Sequence, residues 1–191
     1  LDGGIEFTGN TGVWAPISGD PELGHVYLPI ESATGDRYGG DRPGDNLFSD
    51  SVVALDIKTG ERQWHYQLTH HDIWDWDIPS APVISDLPNG QKVLMSVTKQ
   101  SWIYTFDRAT GEPIWPIEER PVPAGDVPGE WYSPTQPFPT NPPPFDRQGF
   151  TEKDLIDWTP EIRALALDAT EGFRLAPSVY SPPSLADAED G

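Results

Sequence analysis

The chain has 191 residues, enough for one domain with a sizeable core. Its 12 Lys and Arg against 31 Asp and Glu leave a net charge of −19, which makes nucleic acid and anionic membrane surfaces poor partners. Cysteine is absent, so neither a disulfide framework nor a thiolate metal site is possible, and no apolar run approaches the ~18 residues of a membrane span.

Alternation and short apolar runs between breakers predict strands over 12–17, 25–30, 51–56, 62–69, 81–87, 92–98 and 101–107. Pro88-Asn89-Gly90 reads as a tight hairpin turn. Ten prolines fall between Pro116 and Pro144, a composition foreign to a sheet interior. That stretch reads as an extended, ordered excursion carrying Trp131, Tyr132 and Phe138. Thr151-Glu152-Lys153-Asp154 has the pattern of a helix N-terminus, giving a short helix to about Trp158. Thr159-Pro160-Glu161 starts a second, with Thr as N-cap and Pro at the first helical position, running to about Ala169. Ser178–Gly191 is polar, acidic and interrupted by proline, and is expected to fray. The start at Leu1, without an initiator Met, and the Asp-Gly end suggest an internal piece of a longer protein.

An internal repeat organises these elements. Val53-Ala54-Leu55-Asp56-Ile57-Lys58-Thr59-Gly60-Glu61-Arg62-Gln63-Trp64 recurs as Tyr104-Thr105-Phe106-Asp107-Arg108-Ala109-Thr110-Gly111-Glu112-Pro113-Ile114-Trp115, with Asp, Thr, Gly and Trp at an offset of 51. In each copy a strand ends at the Asp, Asp-x-x-Thr-Gly makes the turn, and the next strand begins toward the Trp. A period near 50 with β-rich content points to propeller blades. The predicted fold class is therefore all-β, a partial β-propeller with about two four-stranded blades between Gly12 and Trp115. Residues 1–115 form the blades, 116–150 the Pro-rich excursion, and 151–191 short helices and the start of the following blade, all in one domain.

The densest polar cluster is His70-His71-Asp72-Ile73-Trp74-Asp75-Trp76-Asp77. It lies between two strands, where loops on one face of a propeller converge on the axis. Three readings are open: a metal site, buried polar groups that fix loops by hydrogen bonding, and a carboxylate base in an aromatic-walled pocket. Adjacent His side chains on extended backbone point to opposite faces, which argues against one ion held by both His70 and His71.

His70-His71-Asp72-Ile73-Trp74-Asp75-Trp76-Asp77-Ile78-Pro79 resembles the active-site segment of glucose dehydrogenases that depend on pyrroloquinoline quinone (PQQ). The likeness continues in order along the chain, over roughly residues 10–182. It takes in Val13-Trp14-Ala15-Pro16, Val26-Tyr27-Leu28-Pro29, Gly39-Gly40-Asp41-Arg42, Thr98-Lys99-Gln100, Glu119-Arg120-Pro121-Val122-Pro123 and Ser133-Pro134-Thr135-Gln136-Pro137-Phe138. The fold it implies is an eight-bladed propeller, of which this chain supplies a few blades.

The resemblance also implies roles. Trp14 matches the indole platform under PQQ, Asp75 the catalytic base, and Lys99 the cation at the quinone oxygens. Thr34 matches a residue beside the calcium ion, and so serves both cofactor and metal. Asp77 matches a carboxylate that holds a lanthanide in some methanol-oxidising relatives. Alcohol-oxidising relatives carry a metal-binding Asn where this chain has Ser32, a departure that favours a sugar or polyol over a simple alcohol. The implied cofactors are PQQ and Ca²⁺. The implied acceptor is ubiquinone or a cytochrome, and the implied location is the periplasm, with membrane attachment through regions outside this chain. A non-catalytic propeller scaffold shares the blade repeat but has no need of the Trp-Asp-Trp-Asp loop or the matched Lys. A PQQ-dependent alcohol dehydrogenase is the other alternative. The 191 residues alone are expected to have little activity.

Overall fold

The computed structural model describes residues 11–185 and is mainly β. Strands β1 (Ser18–Asp20), β2 (His25–Pro29), β3 (Ser51–Asp56) and β4 (Arg62–Gln67) form an antiparallel four-stranded sheet in sequence order. β5 (Val83–Asp86), β6 (Lys92–Val97) and β7 (Ile103–Asp107) form a second, three-stranded sheet. β8 (Ile117–Pro121) and β9 (Thr135–Pro139) pair as a two-stranded ribbon. α1 (Pro160–Ala169) is capped by the Thr159 hydroxyl, which accepts from the Ile162 amide.

The chain belongs to the all-β class, with partial propeller blades and no closed sheet. One inner face of the first sheet presents Tyr27, Val52, Ala54 and Trp64 to Leu94, Tyr104 and Phe106 of the second, and all are buried. Rings lock the two sheets together: Trp64 lies 5.8 Å from Tyr27 and 5.9 Å from Phe106, centroid to centroid. β1 and β5, each the first strand of its sheet, run side by side. At one end of the sheets, Arg108 forms ion pairs with Asp20, Glu22 and Asp86 at 2.7–2.9 Å, fastening the β1–β2 turn to the ends of β5 and β7.

The repeat has a mechanical meaning. The Asp56 carboxylate accepts the amides of Lys58 and Thr59, each at 2.8 Å, and Asp107 does the same for Ala109 and Thr110. Gly60 and Gly111 close these turns with φ of +72° and +75°. The Trp64 indole lies flat against Gly111 of the next turn, so near that a methyl group there would sit 2.5 Å from the ring. Its N–H donates to the Arg108 carbonyl at 3.2 Å. The tryptophan of one sheet therefore closes on the turn of its neighbour.

The structure corrects five expectations. Residues 12–17 form no strand, and the first strand is the short β1 that follows them. The second repeat lacks its fourth strand, which is reduced to a Phe106–Pro113 bridge and the Ile114 amide donating to the Thr105 carbonyl; Pro113 and Pro116 deprive it of ladder donors. The Pro-rich stretch contains a sheet after all, since both strands of a two-stranded ribbon are edges and tolerate Pro121, Pro137 and Pro139. The residues after Ser178 do not fray as far as Leu185. Tyr180 is fully buried against Trp74, Trp102 and Phe138. The remainder of that segment lies outside the described residues. The helix expected over 151–158 is a single 3-10 turn, Glu152–Asp154, closed by Thr151 and Asp154.

A paired substitution separates turn strain from contact between sheets. Gly60→Ala meets open space and costs about 1 kcal/mol for its left-handed backbone. Gly111→Ala carries the same backbone cost and also displaces Trp64, adding about 1–3 kcal/mol of overpacking. Denaturant unfolding of the full-length natural protein should therefore rank Gly111→Ala clearly below Gly60→Ala.

Candidate active site

Because the strands alternate in direction, the connections β2–β3, β4–β5 and β6–β7 all emerge at one end of the sheets, as does the segment entering β1. The opposite end carries the short turns. Every residue singled out from the sequence lies at the first end: Trp14 before β1, Thr34 between β2 and β3, Asp75 and Asp77 between β4 and β5, and Lys99 between β6 and β7. All of the described non-glycine residues with positive φ lie on these same connections: Asn46, Asp50, His71, Asp75 and Ser101. Such backbone persists only where neighbours impose it, and it concentrates at functional sites.

Asp75, Asp77 and Lys99 are in direct contact. The Lys99 ammonium donates to Asp75 Oδ2 at 2.9 Å and to Asp77 Oδ2 at 2.8 Å. Asp77 is fixed from its other side, where Oδ1 accepts the Ser32 amide at 2.8 Å. Burial works against the Asp77 charge, but the Lys99 ammonium and the Ser32 amide outweigh it and hold the carboxyl below its usual range. Burial likewise disfavours the Lys99 charge, and Asp77 and Asp75 more than offset it, raising the ammonium pKa. The Lys99 side chain is 31% exposed and that of Asp75 30%, so this ion cluster remains open to a ligand. The Lys99 contact engages Asp75 through Oδ2 alone.

Trp14 is 55% exposed and stacks on no other described ring, so an indole face stands open at this end of the sheets. Its segment is tied to the cluster indirectly. The Gly12 amide donates to the Glu31 carboxylate and the Glu31 amide to the Gly12 carbonyl, and Ser32 follows with its amide on Asp77. Thr34 is exposed on the same connection.

The two histidines turn apart and serve different contacts. His70 pairs its ring with Gln67 at 2.9 Å and Glu119 at 3.0 Å, while its backbone bonds the Gln136 side chain in both directions. His71 is buried; its ring nitrogens face the Gly44 carbonyl at 2.8 Å and Glu130 at 2.9 Å. These contacts strap the β8–β9 excursion over the site loop. Among the described residues no group of three His, Cys, Asp or Glu side chains could hold a metal ion. Asp77 has both oxygens engaged by protein donors, and calcium takes six to eight oxygen ligands. Asp77 and Thr34 therefore do not make up a metal site as they stand.

Several contributors escaped sequence reasoning. Asp72 and Asp50 are fully buried beneath the loop. Burial pushes both carboxyls up, Asp50 the further because the Asp72 charge adds to it, while the Trp74 and Trp76 amides restrain Asp72. Arg42 is buried and spends its guanidinium on the carbonyls of Gly35 and Asp72. Both loop indoles donate to the chain beyond the helix, Trp74 to Ser181 at 2.7 Å and Trp76 to Val179 at 3.0 Å. For Asp72, Trp74 and Trp76 the advance signal was the polar density of the loop, one reading of which was buried groups fixing loops by hydrogen bonds; Arg42 entered only through the matched Gly39-Gly40-Asp41-Arg42 segment, and Asp50 gave no signal.

Comparison with known proteins places this geometry. The family described as "PQQ: Glucose/ethanol/alcohol dehydrogenase, beta-propeller domain" matches residues 2–189. The chain belongs to this PQQ dehydrogenase propeller family. It is 41% identical over 158 residues to the glycerol dehydrogenase large subunit of Gluconobacter oxydans (strain 621H), covering 80% of this chain and 21% of that protein. It is 37% identical over 194 residues to quinoprotein glucose dehydrogenase A of Acinetobacter calcoaceticus, covering 95% of this chain and 24% of that protein. Among solved structures it is similar to the quinohemoprotein alcohol dehydrogenase ADHIIG of Pseudomonas putida HK5, with a TM-score of 0.53 and 36% identity over 59% of this chain and 18% of that one. The chain thus spans less than a quarter of the length of these relatives. Their family uses PQQ with a calcium or lanthanide ion. An open indole face, an ammonium and a carboxylate suit a flat, electron-accepting quinone in this PQQ family.

Lys99→Met tests the electrostatics directly. Without the ammonium, only the Ser32 amide and the Asp75 side chain oppose burial, and the Asp77 carboxyl rises from its depressed position. In the wild type the depressed Asp77 pKa contributes stability that is fully present above the unfolded pKa and is lost as pH falls through the folded value, and the variant gives up much of that contribution. The variant should therefore lose stability relative to wild type between about pH 4 and 7, as measured by thermal unfolding across that range.

Proposed function

We propose that this chain carries the proton-accepting part of a quinoprotein active site that oxidises a sugar or polyol hydroxyl. The contact of Lys99 with Asp75 and Asp77, beside open solvent, is the observation that carries the reading. PQQ, when bound, supplies the two-electron acceptor for the hydride leaving the carbinol carbon. Asp75, paired with the Lys99 ammonium, takes the hydroxyl proton at Oδ1. Lys99 has one N–H beyond those given to Asp75 and Asp77, and with it the ammonium would hold the cofactor's oxygens and stabilise negative charge on them. Trp14 offers its exposed indole as the platform against which a flat ring system stacks. Asp77 anchors Lys99 and, through Ser32, ties the β2–β3 connection to the site.

Calcium enters this reading through the family and through Thr34 and Asp77, which match metal-neighbouring positions. The remaining ligands come from elsewhere in the full-length protein. The substrate class is supported by Ser32 in place of the Asn of alcohol-oxidising relatives, and by relatives named for glycerol and glucose. Ubiquinone or a cytochrome as acceptor, and a periplasmic location, are supported by the resemblance alone. The 191 residues by themselves turn over little.

The test is dye reduction by the full-length natural protein with PQQ and Ca²⁺, over a panel of glucose, glycerol, quinate, ethanol and methanol. Cyclic or polyhydric substrates should outperform methanol. Asp75→Asn should lower kcat by about 10²–10⁴-fold, the usual worth of a positioned base. Full turnover in that variant removes Asp75 from the chemistry, and no reduction with any substrate leaves a binding scaffold as the surviving reading.

A further inference from the structure

The conformation of Asp75 is held by a carboxylate that never reaches the site. Asp72 is fully buried. Its Oδ1 accepts the Trp74 amide at 2.8 Å, and its Oδ2 accepts the Trp76 amide at 2.6 Å. Those two amides flank Asp75, whose φ is +66°. A non-glycine residue adopts that backbone only when its neighbours impose it. With one amide held on each side, the chain is bent so that Asp75 stands at the tip of the turn and reaches Lys99.

The clamp needs support of its own. Each Asp72 oxygen accepts an amide, so the clamping form is the carboxylate, and burial opposes that charge. The nearest buried cation does not neutralise it, because the Arg42 guanidinium donates to the Asp72 carbonyl instead. The side chains beside the carboxylate are the Ser32 hydroxyl and Asp50, which is itself fully buried. No hydrogen bond of good geometry from a described residue reaches either Asp50 oxygen. Two bare carboxylates side by side in a dry site repel strongly, whereas a proton between them makes a charge-assisted hydrogen bond. Burial and the Asp72 charge both favour that proton residing on Asp50.

We propose that Asp72 is the positioning residue for Asp75, clamping the amides on both sides of it, and that Asp50 is the hydrogen-bond donor that supports Asp72. This rests on Asp75 being the base and adds two residues that touch neither substrate nor cofactor.

The test compares Asp72→Asn, Asp50→Asn and Asp75→Asn in the full-length natural protein with PQQ and Ca²⁺, using glucose and glycerol as substrates. In Asp72→Asn an amide NH₂ faces one of the two backbone N–H groups, so one half of the clamp is lost. Its kcat should fall by about ten- to a hundredfold with KM and PQQ affinity little changed, the signature of lost positioning and not of lost binding. Asp50→Asn keeps a donor facing Asp72, and its kcat should stay within about twofold of wild type. A second measurement needs no turnover. The wild type should show the infrared carbonyl stretch of a buried protonated carboxylic acid, and Asp50→Asn should lose it. Wild-type kcat in Asp72→Asn overturns the clamp. Asp50→Asn falling as far as Asp72→Asn, or absence of that band from the wild type, overturns the donor. If Asp72→Asn fails to fold, the Asp50→Asn kinetics and the infrared band decide the donor, and Asp72→Glu, which keeps the charge but moves it, decides the clamp by the same split of kcat from KM. Full turnover in Asp75→Asn would sink the base assignment instead, and leaves the infrared result intact.

Discussion

The contact of the Trp64 indole with the Gly111 turn sets the distance between the two sheets, and the site inherits that distance. A bare backbone lets the ring approach the turn to a separation that no side chain would allow. With the sheets at that spacing, Tyr27, Trp64, Tyr66 and Phe106 interlock, and the connections at the other end of the strands come within reach of one another. Lys99 belongs to the second sheet, while Asp77 lies on the crossing between sheets and is bonded to Ser32 from the first. A shift of one sheet by even an ångström would separate the ammonium from its carboxylates. The core of the propeller and the chemistry at its end are therefore one constraint seen at two places.

The second organising fact is how much charge lies beneath the site loop. Asp50, Asp72, His71 and Arg42 are all buried. Each costs free energy unless its polar atoms are paired. For three of them the structure meets that demand largely with loop groups: amides for Asp72, two backbone carbonyls and the Asn46 side chain for Arg42, and a carbonyl with a carboxylate for His71. Because these partners belong to loops, satisfying the buried groups also fixes loop shape. Stiffness in a region without regular secondary structure is the result, and it is what a carboxylate held at a left-handed backbone position, as Asp75 is, requires.

Legibility followed the same division. The blade repeat was readable because its turn chemistry is local: an Asp that accepts two amides and a Gly with positive φ leave a fixed sequence signature. The cluster of Asp75, Asp77 and Lys99 was reached through resemblance, since a lone Lys at a strand end carries no signal. Asp72 was seen as one polar residue among several, and nothing in its neighbours announces that its oxygens turn inward. The burial of Tyr180 was hidden for the opposite reason. Its segment looks like a tail by composition, and its place in the core depends on Trp74 and Trp76 donating to it across more than a hundred residues of chain. The β8–β9 ribbon escaped because proline content argues against sheet interior, whereas a two-stranded ribbon has no interior.

The charge balance at the site carries a further consequence for the cofactor. PQQ is a tricarboxylate, and the chain is strongly acidic. Lys99 is shared between two carboxylates, so the cluster it forms with Asp75 and Asp77 is net negative. Arg42 is buried and committed to carbonyls, and Arg37 donates to the Trp74 carbonyl. On the function proposed above, the described residues supply an exposed indole, a carboxylate and one ammonium, but not the positive charge that three cofactor carboxylates demand. That charge has to enter with a metal ion or from parts of the protein beyond these residues. A site divided in this way is charge-complete only when cofactor, metal and the remaining blades come together, and cofactor binding and assembly of the propeller are then electrostatically linked.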